Sequence, residues 1–191
     1  MTRFYTNEKT RLDKALQLMI AALQKYNAKD FEADTALKVA LDEALLMYKE
    51  LGKSNQESQF EALKAEWVTA QRGINPMSLE KLTVRRNEMV GTVKFKIMQR
   101  AQQQLAMDVE AVDAVLNEAS TLISQIIVAS LQGGLLNPEL IRRAGDPDAV
   151  ETLWKNSGDD TNVMLGQQRV LLMVSRYDAL LIFGDLLQRL I

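Results

Sequence analysis

The 191-residue chain contains no cysteine and no histidine. Without cysteine there is no disulfide, thiolate nucleophile, iron–sulfur cluster or Cys-based zinc site. Without histidine there is no imidazole base, no Ser-His-Asp triad, no proximal haem ligand and no Glu-x-x-His di-iron site. A basic excess is missing too: 23 Lys and Arg stand against 25 Asp and Glu, for a net charge of −2. A free-standing nucleic-acid binder usually carries such an excess, so any basic footprint here must be local. Proline is scarce, with three residues, and aromatics make up 6%.

Long apolar runs are also lacking. The longest charge-free stretch, residues 119–138, holds four serines or threonines, two glutamines and an asparagine. That is too polar for the roughly 20 apolar residues a transmembrane helix needs. Near the N-terminus Arg3, Lys9, Arg11 and Lys14 precede the apolar run 15–23, faintly like a signal peptide. Glu8 and Asp13 interrupt that basic region and no small-x-small site follows, so no leader and a cytoplasmic setting are expected.

What is present is helical periodicity. Leu12, Leu16, Met19, Leu23 and Tyr26 recur at steps of three and four, as do Leu37, Leu41, Ala44, Tyr48 and Leu51. Ser54 and Glu57 form a capping-box pattern that opens a third helix, with the stripe Phe60, Leu63, Trp67 and Ala70. Gly52 and Gly73 stand where helix ends favour a left-handed residue. These three helices, residues 1–73, read as an antiparallel array.

Asn75-Pro76 is a cap-then-proline start. Between 78 and 132 there is no proline and one glycine, which predicts a long helix of about 80 Å if unbroken. Asp108 falls on its apolar stripe. Either it caps a break near 107–108, or it forms a polar layer in a coiled coil. Gly133-Gly134 ends the segment. Asn137-Pro138 and Asp146-Pro147 predict short helices over about 138–144 and 147–156. A last helix runs from about 162 to the end, apolar on two faces. Its first stripe includes Val163, Val170, Val174, Tyr177 and Leu181, and its second Leu165, Leu172, Phe183, Leu186 and Leu190. Such a helix is buried centrally or shared with a partner. The expected fold is therefore all-α: one domain, a bundle of six or seven helices, with one long helix over about 78–132.

The carboxylates are the only anionic metal ligands left. Glu110 and Asp113 make a lone E-x-x-D, without the earlier E-x-x-E that a helical magnesium site requires. Asp159-Asp160 lacks a third aspartate three residues on, where Val163 stands. Asp146, Asp148 and Glu151 resemble part of a calcium loop, but Pro147 and the helix after it contradict an EF-hand. Caps and first-turn acids explain all three clusters better. No cofactor or small-molecule substrate is indicated, and an enzyme is not expected.

The charge pattern along the long helix is more informative. Lys81, Arg85, Arg86, Lys94, Lys96 and Arg100 face a single acid, Glu88. On an ideal helix Lys81, Arg85, Lys96 and Arg100 share an arc of about 100°. Asp108, Glu110, Asp113, Glu118 and Glu139 then follow with no Lys or Arg among residues 101–141. A helix charged in this way suits a neighbour held in one orientation. The expectation is a non-enzymatic interaction or assembly protein acting through helix faces, by self-association or in a larger complex. Lys81, Arg85, Lys96 and Arg100 would orient the partner, and Phe183, Leu187 and Leu190 would anchor it. Two other classes remain. One is an accessory nucleic-acid-binding subunit using the same stripe. The other is a membrane-active, pore-forming-like helical protein whose tip, with Ile126, Ile127, Leu131 and Leu135, would meet lipid or a docking surface.

Overall fold

The computed structural model describes residues 3–81 and 86–190, apart from the side chains of Arg86 and Leu140. Among them lie eight helical elements: α1 (Tyr5–Asn27), α2 (Ala33–Glu50), α3 (Ser54–Gln71), α4 (Arg86–Gln132), the single turn α5 (Pro138–Ile141), α6 (Pro147–Ser157), α7 (Thr161–Met173) and α8 (Arg176–Gln188). The fold is all-α, with one helix of 47 residues. The contacts group the chain into two compact units, one of residues 9–110 and one of residues 1–8 with 111–191.

In the unit of residues 9–110 many of the periodic residues of α1 to α3 are buried, while Leu16, Leu23, Tyr26 and Leu51 are half-buried. Leu12 and Met19 of α1, Leu37, Leu41 and Tyr48 of α2, and Phe60, Leu63, Trp67 and Ala70 of α3 form its interior with Ile97, Met98 and Leu105 of α4. Tyr48 and Phe60 lie 5.2 Å apart between ring centres. The Tyr26 hydroxyl donates to the Gly91 carbonyl at 2.9 Å. Asp108 neither breaks α4 nor caps it. Its carboxylate is buried and accepts from the Tyr48 hydroxyl at 2.7 Å and from Gln104 Nε2 at 3.3 Å. A buried acid on an apolar stripe is tolerated because these donors replace water.

In the other unit, Ala119, Ile123, Ile126 and Ile127 of α4 share a core with Val150, Leu153 and Trp154 of α6, Val163 and Val170 of α7, and Phe183 and Leu187 of α8. Its N-terminal residues are tied in by a buried acid. The fully buried Asp178 carboxylate accepts from the Tyr5 and Thr6 N–H groups at 2.9 and 3.0 Å, at the start of α1. Beside it Arg3 donates twice to Glu8, both at 2.6 Å, and this contact raises the Arg3 pKa above its ordinary value.

Four helices end on the same double hydrogen bond. After α4, Gly134 N–H donates to Leu131 O and Leu135 N–H to Ser130 O, with Gly134 at φ +68°. The same pairing closes α2 at Gly52 and α3 at Gly73, as their glycines indicate. At the end of α1 the left-handed position is taken by Lys29, at φ +56°. A side chain there costs about 1–2 kcal/mol, partly offset because glycine leaves the unfolded chain freer. Lys29→Gly is therefore expected to stabilise the protein by about 0.5–1 kcal/mol, read as a higher midpoint in urea; a lower midpoint would contradict this account.

Three sequence expectations need correction. The long helix begins at Arg86, not near 78. The Asn75 side chain does accept from Met77 N–H at 2.9 Å, but Leu79 turns left-handed and Asn75 N–H donates to Glu80 O at 2.8 Å. That closes a turn and leaves Ile74 and Lys81 in an isolated antiparallel bridge. Ser54 is the first residue of α3 and not its cap, a position held by Lys53. The terminal helix is two helices, because Ser175 caps α8 and its Oγ accepts from Asp178 N–H at 3.1 Å. The two short predicted starts do form: Asn137 accepts from Glu139 N–H, and Asp146 from Asp148 N–H.

Candidate interaction surfaces

The basic stripe is not one helix face. Lys81 lies in the bridge that precedes α4, and Arg85 lies outside the described residues. Lys96 and Arg100 are one turn apart on α4 and both are exposed. Arg100 is already engaged: its Nη1 donates to both Glu66 oxygens, at 3.0 and 2.8 Å. Lys94 is likewise paired with Asp34. These cations answer acids of their own unit, which reduces what they can offer a phosphate or a partner.

The expected apolar anchors divide. Phe183 and Leu187 are fully buried in their own core, so they cannot meet a partner surface, while Leu190 is 56% exposed. The physical reason is the break at Ser175. In one continuous helix Leu165, Leu172 and Phe183 would share a stripe, but the cap at Ser175 resets the helical phase. Leu165 and Leu172 then face solvent and Phe183 faces Trp154, with ring centres 5.2 Å apart. The expected tip divides as well. Ile126 and Ile127 are buried, Leu135 is half-buried and Leu131 is exposed. The apolar end of α4 thus packs one side into the core, leaves Val128 and Leu131 exposed on the other, and is closed by a glycine turn.

Among the described residues no group of three or more acids is placed to hold a metal ion. Several acids are instead backbone acceptors. Asp160 caps α7 by accepting from Asn162 and Val163 N–H at 2.8 and 3.1 Å, and Asp146 caps α6. By charge they complement the positive end of each helix.

Two surfaces not singled out in the sequence remain bare. One is the outer face of α7, where Met164, Leu165, Leu171 and Leu172 are exposed, Leu172 at 88%. The other is a cleft of about 330 Å³ between α6 and α8, bordered by Tyr177, Leu181, Asp148, Glu151 and Asp185. Gly184 lets α6 and α8 approach at its floor: a Cβ there would stand 3.3 Å from Val150 Cγ2. The signal for both surfaces was the Ser175-x-x-Asp178 capping box, which splits the terminal helix and separates its stripes. No known protein family matches the chain, and neither a curated protein nor a solved structure is similar to it.

Proposed function

We infer that this is a non-enzymatic interaction protein that assembles through exposed helix faces, in a homo-oligomer or a larger complex. The observation that carries this reading is the outer face of α7, where four large apolar residues lie bare on one 13-residue helix. Scattered exposed leucines are ordinary, whereas four large apolar residues on adjacent turns of one helix, around the exposed Gln168, support a surface that gains by being covered. The nucleic-acid reading has less support, since Lys94 and Arg100 already hold carboxylates. A cytoplasmic setting belongs to the same proposal. Among the described residues one helix, α4, is long and apolar enough to cross a membrane by length and composition. That differs from the sequence expectation, in which no stretch is apolar enough, and 28% of its most apolar stretch is buried. What supports the cytoplasmic reading is that Ala119, Ile123, Ile126 and Ile127 of this helix pack in a protein core.

Light scattering across a concentration series, together with the native mass from source cells, tests this reading. A mass that rises well above the single-chain 21.5 kDa is the expected result. A mass of one chain at every concentration, with no protein co-purifying, would remove it.

A further inference from the structure

The bare face of α7 and the cleft between α6 and α8 belong to the same unit, and neither covers the other within one chain. They differ in charge. Leu165 and Leu172 of α7 are 55% and 88% exposed, and Arg169 lies between them on the same side of the helix. Among the described residues Arg169 has no anionic partner. Opposite in character, every charged residue that lines the cleft is an acid: Asp148, Glu151 and Asp185. Arg176 answers Glu151 at 2.8 Å, whereas among the described residues neither Asp148 nor Asp185 has a cationic partner.

Asp185 is the informative one. Asp148 sits in the first turn of α6, where an acid complements the helix dipole. Asp185 sits in the last turn of α8, where the dipole disfavours an acid, and among the described residues the nearest cation along the helix, Arg189 at the C-cap, makes no ion pair with it. Neither a helix start, as for Asp148, nor an ion pair, as for Glu151, accounts for it. Tyr177, Leu181 and Asp185 recur at four-residue steps, so they form one row along α8 about 12 Å long. The α7 ridge from Leu165 to Leu172 is about 11 Å long, a matching length. Tyr177 and Leu181 are themselves exposed, and Phe4 extends the apolar wall by packing edge-on to Tyr177 at 6.1 Å.

A small-molecule occupant fits less well. Such sites combine apolar walls with a few polar groups that converge on the ligand. Here the Gln188 amide is already spent on the Ala144 carbonyl at 3.2 Å, and the acids stand at the exposed rim.

We propose that the α7 ridge of one copy docks in the α6–α8 cleft of a second copy, with Leu165 and Leu172 against Tyr177 and Leu181 and with Arg169 answering Asp185. This rests on the assembly reading and gives it a contact. Ridge and cleft are different surfaces, so the contact is head-to-tail and builds a ring or a filament, unlike a two-fold dimer.

The test uses the full-length chain in light scattering. Asp185→Lys and Arg169→Glu are each expected to weaken self-association at least about tenfold, and the two together to recover most of it, because the charges are exchanged across the contact. A mixing experiment is stricter. Asp185→Lys spoils the cleft and keeps the ridge, while Leu172→Asp spoils the ridge and keeps the cleft. Each alone should keep the mass of one chain, and an equimolar mixture should give a species of two chains and no more. All three residues are exposed, and each variant is expected to keep wild-type helicity, which circular dichroism checks. Self-association unchanged in both charge variants, or a mixture that stays at the mass of one chain, overturns the contact. If wild type assembles under those results, the assembly reading stands and only this contact falls. If wild type never exceeds one chain, both fall.

Discussion

Phe183→Ala is expected to lower stability by about 4 kcal/mol, the usual loss for a large buried aromatic truncated to alanine. Phe183 has no exposed surface and meets Trp154 edge-on, so the substitution removes both buried area and an aromatic pair. In a chain of this length that corresponds to a fall in Tm of roughly 10 °C. Urea unfolding followed by tryptophan fluorescence checks it, since Trp154 and Trp67 report on different units when each is the sole tryptophan. The Trp154 transition should move to lower urea. Stability unchanged but self-association lost would instead place Phe183 at a partner surface, as the uninterrupted stripe of the sequence implies.

Asp178→Ala should cost about 3 kcal/mol. The carboxylate holds two backbone N–H groups at the start of α1 and the Ser175 hydroxyl at 2.8 Å, all without water access at the acid itself. Hydrogen bonds to a charged group are worth about 1.5–3 kcal/mol each, and the positive end of α1 adds a smaller dipole contribution. Asp178→Asn should cost less, because an amide oxygen still accepts one N–H while its NH₂ faces the other. Hydrogen exchange gives a local readout: the amides of Tyr5 and Thr6 should lose protection in Asp178→Ala, while those of α2 and α3 keep theirs. Equal protection in the variant and the wild type would mean that the N-terminus is held by something other than this acid.

Much of the fold was legible because helices obey local rules. The three- and four-residue steps of α1 to α3 named their buried faces, and Asn137, Asp146 and the helix-ending glycines marked boundaries. These signals depend on neighbours within one or two turns of chain. The errors arose where two local signals competed. Asn75-Pro76 is a good helix start, yet the backbone bond from Asn75 to Glu80 closes a turn instead. The apolar pattern after 162 is continuous, yet Ser175 with Asp178 makes a cap inside it.

Taken alone, the sequence determined that the protein is helical, that the catalytic chemistry of Cys and His is closed to it, and that its basic and acidic residues are segregated along α4. Periodicity and composition suffice for that, since they act through the chain itself. After residue 162, tertiary structure alone decided which apolar residues are core and which are surface. Phe183 and Leu172 are equally apolar, but a single capped break sends one to Trp154 and the other to solvent. Tertiary structure also decided which charges are already answered. Arg100 found Glu66 and Asp108 found Tyr48, while Arg169 and Asp185 lie on separate surfaces of one unit. Burial and pairing are relations between residues distant in sequence, and no spacing rule along one helix contains them.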